Sequence, residues 1–103
     1  MSPKSNGFKD FMLDQLADLR GITARAMFGG YGLYHGARFF GIIHKGRLYF
    51  KVTTATAPRY KKHGMRPFRP NDKQALKSFY EVPLNVLEDT ERLIAWAVES
   101  AER

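Results

Sequence analysis

Phe39-Phe40-Gly41-Ile42-Ile43-His44-Lys45-Gly46-Arg47-Leu48-Tyr49-Phe50-Lys51-Val52, residues 39–52, is two aromatic and β-branched runs hinged on a Lys-Gly pair. Apolar runs separated by two such residues read as a β-hairpin, because a glycine in the turn supplies the positive φ that a tight reversal needs. A two-residue turn sets the register: His44 opposes Arg47, Ile43 Leu48, Ile42 Tyr49, Gly41 Phe50 and Phe40 Lys51. Side chains alternate along a strand. One face then carries Phe39, Ile43, Leu48, Phe50 and Val52 and is expected to be core. The other carries Arg38, Phe40, Ile42, His44, Arg47, Tyr49 and Lys51, bases mixed with aromatics.

Moving toward the N-terminus, His35-Gly36 marks a second turn, so Ala24 to Thr53 reads as a three-stranded antiparallel meander. Gly29-Gly30 falls within its first strand, where glycine usually marks a bulge or bend, here one that carries Met27 and Phe28 to the core. A phosphate loop would need a helix to follow these glycines, and Leu33-Tyr34 continues as strand. Further upstream, Phe8, Phe11, Met12, Gln15, Leu16 and Leu19 form the stripe of an amphipathic helix over about residues 6 to 20, ended by Gly21. Asp10, Asp14 and Asp18 lie on its solvated side.

Toward the C-terminus, a short helix is expected with Thr56 as cap and Pro58 in its first turn, stopped at Gly64. Pro67 and Pro70 flank an edge-type extended piece around Phe68, a further strand runs near Leu76 to Val82, and a last helix starts at Asp89 or Thr90 with Leu93, Trp96, Ala97 and Ser100 on its apolar stripe. The order is α-β-β-β-α-β-β-α. We expect a two-layer α+β fold, a five-stranded antiparallel sheet with the helices packed on one face.

The 103 residues, 44% hydrophobic and 26% charged, suit a single domain over 1–103 with a flexible start over 1–6. With no cysteine, disulfides, thiolate metal sites and a cysteine nucleophile are excluded. His35, His44 and His63 lack metal-ligand spacing, and Ser2, Ser5, Ser78 and Ser100 lack a nucleophile context. These readings point to no cofactor, no metal and no catalytic set. No segment has a signal-peptide core or the apolar length of a membrane span, so a cytoplasmic protein is expected.

Charge is the remaining signal. The net +7 divides into −1 over residues 1–19, +12 over 20–77 and −4 over 78–103, the middle holding thirteen bases and only Asp72. Such a block suits a polyanion, whether nucleic acid or an acidic protein surface. The residues assigned to a polyanion-binding or partner surface are Arg38, Arg47, Tyr49, Lys51, Arg59, Lys61 and Lys62, with Tyr49 read as a ring that stacks on bases. An apolar sheet face could equally be covered by a homodimer.

The run Met27-Phe28-Gly29-Gly30-Tyr31-Gly32-Leu33-Tyr34, then Gly46-Arg47-Leu48-Tyr49-Phe50-Lys51, resembles the N-terminal domain of the TfoX (Sxy) regulators of bacterial competence for DNA uptake. Tyr60, Gly64, Pro67-Phe68, Tyr80-Glu81-Val82-Pro83, Leu87-Glu88-Asp89 and Trp96 continue it in order, over about residues 8 to 101. The resemblance implies an α-β(3)-α-β(2)-α fold and no catalytic residues. It also implies action on transcription together with the cyclic-AMP receptor protein. Full-length members carry a second, C-terminal domain, and the sequence to Arg103 corresponds to the first alone. The expected function is a non-enzymatic regulatory or adaptor domain contacting protein or nucleic acid; the alternative is a small enzyme or ligand-binding domain without a recognisable motif.

Overall fold

A computed structural model describes residues 4–27, 29–71 and 73–102. The Lys45-Gly46 hinge is a hairpin turn, with φ of 52° and 74°, the left-handed pair that a two-residue turn between twisted strands requires. It joins β3 (Arg38–His44) to β4 (Arg47–Lys51), paired as His44↔Arg47, Ile43↔Leu48, Ile42↔Tyr49 and Gly41↔Phe50. β3 pairs on its other side with β2 (Gly30–His35), and β2 with β1 (Ile22–Met27).

The expected first strand is therefore two strands, and the sheet has six rather than five. Gly29, at φ 78°, lies in the turn between β1 and β2, and Met27 pairs with Gly30 across it. A bulge and a hairpin turn draw on the same glycines. What shows the turn is the antiparallel pairing that runs from Ile22–His35 to Met27–Gly30; Gly30 itself answers a close approach to β3, where a Cβ would stand 2.1 Å from the Ile43 carbonyl oxygen. Phe28, expected in the core, lies outside the described residues, as do residues 1–3 of the expected flexible start. Lys4 to Asn6 belong to α1 (Lys4–Gln15).

α2 (Ala57–Lys62), β5 (Pro67–Asn71), β6 (Gln74–Glu81), the short α3 (Leu84–Leu87) and α4 (Thr90–Glu102) follow. The sheet order is β1-β2-β3-β4-β6-β5, with every pairing antiparallel. Asp89 starts α4 as expected of a cap, its carboxylate accepting the Arg92 amide at 3.2 Å. The helix buries Leu93, Trp96, Ala97, Ser100 and Ala101, a stripe at i, i+3, i+4, i+7 and i+8. These meet Leu33, Phe40, Ile43, Leu48 and Phe50 from the sheet, with Met12 and Leu16 from the α1 side and Tyr60 of α2. Each large apolar side chain so buried contributes roughly 1.5–3 kcal/mol.

Phe40 and Phe39 exchange the places expected of them. Leu33 pairs with Gly41 but Tyr34 pairs with Phe39, so Phe40 is an extra residue in β3. A bulge reverses the alternation where it occurs. Phe40 turns under the helices and Phe39 to the opposite, outer face.

The outer face has its own cover. β5 and β6 form a hairpin whose pairing slips twice between Pro67 and Asn71, and Phe68 lies edge-on to Tyr49 at 4.8 Å and to His44 at 5.2 Å. Ile42, Tyr49, Phe68 and Phe79 make a second apolar cluster there, flanked by Phe39 and Leu76.

Candidate polyanion-binding surface

The seven residues assigned to a basic surface fall into three environments. Arg47 and Tyr49 start from adjacent outward positions of β4. The Arg47 guanidinium reaches both carboxylate oxygens of Glu81, at 3.0 and 3.1 Å, across the β4–β6 pairing that sets Tyr49 opposite Glu81. Its charge is matched locally. Tyr49 is buried beneath Phe68, so its ring face is occupied by the protein itself. Burial holds its hydroxyl above the usual tyrosine range, the Glu81 carboxylate adds to this, and Arg47 opposes it.

Arg59 is turned inward. It pairs with Glu99 of α4 and lies 4.1 Å over the Trp96 ring, between carboxylate and indole. Beside it the Tyr60 hydroxyl is buried without a hydrogen-bond partner of good geometry, and burial pushes its pKa up to about 12 although Ser100 and Arg59 pull the other way. Lys61 and Lys62, on the same short helix, are exposed and have no carboxylate partner among the described residues.

Arg38 and Lys51 come together at one end of the sheet. Arg38 opens β3 and donates from Nη1 to the Ala101 carbonyl near the C-terminus of α4, at 3.3 Å, where a cation suits the unpaired carbonyls of a helix end. Lys51 closes β4, and its carbonyl accepts from the Ser100 hydroxyl at 2.9 Å. Both line an open groove of about 490 Å³ with Phe39, Ser78 and Phe79. A second groove of about 600 Å³ adjoins it through Ser78 and is lined by Thr53, Thr54, Lys61 and Lys77. Among the described residues neither lining includes a carboxylate. The two grooves thus make one band carrying Arg38, Lys51, Lys61 and Lys77, edged by hydroxyls.

Lys77 is not singled out by the sequence, and Ser78 enters there only among the serines without a nucleophile context. The available signal was their place in the last strand, and its pairing with β4 brings them to the groove: the Val52 amide donates to the Ser78 carbonyl at 2.7 Å. Three or more potential metal-ligating side chains are nowhere grouped among the described residues. No described helix is long and apolar enough to cross a membrane.

A family model of the TfoX N-terminal domain matches residues 14–103. The chain belongs to that family. Comparison with curated proteins gives no match. As a TfoX N-terminal domain the chain joins a family of regulatory type. The residues that carry the likeness are mainly structural here: Leu48, Phe50, Tyr60, Phe68, Tyr80, Val82 and Trp96 are all buried. Tyr60 touches both Tyr80 and Trp96, at ring separations of 6.2 and 4.8 Å. The TfoX pattern thus speaks for the core, while the basic band lies on residues outside it apart from Lys51.

Proposed function

We propose that this TfoX N-terminal domain is a non-enzymatic, cytoplasmic regulatory or adaptor domain that holds an anionic partner against the band formed by Arg38, Lys51, Lys61 and Lys77, with Lys62 beside it. The observation that carries this reading is the pair of adjoining grooves joined at Ser78, whose polar lining among the described residues is cations and hydroxyls with no carboxylate. Phosphate and carboxylate groups both suit such a surface, since Arg presents a donor fork and Lys a mobile point charge. Arg47 and Arg59 contribute less, because Glu81 and Glu99 already face them.

Competence or transcription control is the regulatory setting that family membership supports. The test is replacement of the chromosomal copy by Lys51→Glu/Lys61→Glu/Lys77→Glu, with transcript levels measured against the parent and the deletion strain. The reversed variant should fold, because Lys61 and Lys77 are exposed and Lys51, at the end of β4, is only half-buried, so substitution costs little, and it should reproduce the deletion. A folded triple variant with the parent's transcript profile overturns the proposal.

A further inference from the structure

Four side chains form a row across the outer face of the sheet. The Arg25 guanidinium lies 5.4 Å from the Tyr34 ring centroid, Tyr34 stacks on Phe39 at 5.2 Å with 25° between planes, and Phe39 meets Phe79 at 4.9 Å. The register places them together: Tyr34 pairs with Phe39, and Arg25 pairs with Gly32, which has no side chain to stand between. Phe68 and Phe79 of the β5–β6 hairpin cluster with Ile42 and Tyr49, Phe39 lies at the margin, and Tyr34 lies outside that cluster. Tyr34 and Phe39 are half-buried and Arg25 is exposed. The row ends at the groove where Phe39 and Phe79 share a lining with Arg38 and Lys51.

We infer that this row and groove form a platform for single-stranded nucleic acid, with a base against the outer side of Tyr34, which Phe39 backs from within the row, and backbone phosphates at Arg38 and Lys51. The inference rests on the proposed function and names its partner. Aromatic rings flanked by cations, with no acid among the described residues lining the groove, match a strand whose bases are exposed and whose backbone is anionic. A groove of about 490 Å³ is of the size that holds one nucleotide. Duplex DNA offers no base faces, since its bases are stacked within the helix and only their edges reach the grooves. A base arriving at the outer side of Tyr34 displaces the Arg25 guanidinium, whose long exposed side chain then reaches an adjacent phosphate. The stacking role read for Tyr49 thus moves to Tyr34, one strand beyond the hairpin's cover.

Fluorescence anisotropy with labelled dT12, a 12-base-pair duplex and polyglutamate, each over a salt series, tests this. The parent should bind dT12 at least tenfold more tightly than the duplex. Tyr34→Ala should weaken dT12 about tenfold, within what one stacked base supplies, and leave its salt slope unchanged. Arg38→Gln/Lys51→Gln should instead flatten the slope by about 1.4, at ~0.7 per phosphate on a single strand. Photocrosslinking of 5-iodouracil-substituted dT12 to the parent protein needs no variant to fold, and should map to Tyr34 or Phe39. Equal binding of dT12 and duplex with Tyr34→Ala silent, or crosslinks confined to other elements, overturns the platform. The wider proposal then stands if duplex or polyglutamate binding is lost in the charge-reversed variant. If none of the three probes binds at low salt, both fall.

Discussion

Adding one carbon atom at Gly30 should cost more than changing most side chains on the surface. Its Cβ would stand 2.1 Å from the Ile43 carbonyl oxygen and 3.1 Å from the His44 Cα and the Ile43 carbonyl carbon. All three are backbone atoms of β3, so no rotamer change relieves the overlap. Reaching an ordinary contact of about 3.4 Å requires β2 and β3 to part by more than ~1 Å, which carries neighbouring hydrogen bonds beyond the 3.2 Å at which they weaken. Overpacking of this kind costs about 1–3 kcal/mol, and one or two lost backbone hydrogen bonds add roughly 1 kcal/mol each. We expect Gly30→Ala to lose about 3 kcal/mol, a drop of roughly 12–24 °C in Tm for a domain of this size. Two controls separate the clash from loss of glycine as such. Gly29→Asn enters open space in a left-handed conformation that asparagine tolerates, and Gly32→Ala meets side chains and no backbone, the Met27 sulfur and methyl at 2.7 and 2.9 Å, which can move, and the Phe39 ring edge at 3.1 Å. Each should lose less than ~1 kcal/mol in urea and thermal unfolding followed by circular dichroism. Gly30→Ala melting within about 3 °C of the parent, or Gly29→Asn losing as much as Gly30→Ala, would refute the reasoning.

Tyr60→Phe removes a buried hydroxyl without a well-placed partner and should stabilise the protein by about 1 kcal/mol; a loss of that size in denaturant unfolding counts against the assignment. Because the native Tyr60 pKa is raised to about 12 from 10, the unfolded chain gives up this proton first, and stability should fall as pH rises from 10 to 12. The fall from this group is roughly 2–3 kcal/mol, and Tyr60→Phe should flatten that part of a stability–pH curve. Phe68→Ala should cost about 3–5 kcal/mol by uncovering Tyr49 and His44, whereas Phe68→Leu should keep most of the stability in the same melts. Glu81→Gln, at an exposed pair with Arg47, should change stability by less than ~1 kcal/mol, the effect shrinking further in high salt.

The β3–β4 register was legible because a two-residue turn leaves the chain one way to pair, and the four pairings from His44–Arg47 to Gly41–Phe50 follow from it. One residue further the reading fails at Phe40, since a bulge inverts the alternation and nothing in Phe39-Phe40 distinguishes the two rings. The sixth strand was hidden for a related reason: Gly29-Gly30 is compatible with a bend or a turn until the pairing of Met27 with Gly30 is known. At the surface, composition located the bases but not their partners. Glu81 and Glu99 are distant in sequence from Arg47 and Arg59 and neutralise them only through β4–β6 pairing and helix packing. Lys77 joins Lys51 and Lys61 for the same kind of reason, through the tertiary course of β6.

The order in which the elements leave the ribosome bears on the helix layer. Phe40, Ile43, Leu48 and Phe50 are completely or almost completely enclosed in the finished domain, yet α4, which supplies Leu93, Trp96 and Ala97 against them, is made some 50 residues later. At 5–20 residues per second that is a delay of about 3–10 s, whereas a hairpin forms in roughly 1–10 μs. The four-stranded meander therefore has time to pair repeatedly while its most apolar side still faces water. For those seconds the nascent chain offers a surface that holdase chaperones bind, and slowing translation between Lys51 and Asp89 should lengthen that exposure and lower soluble yield.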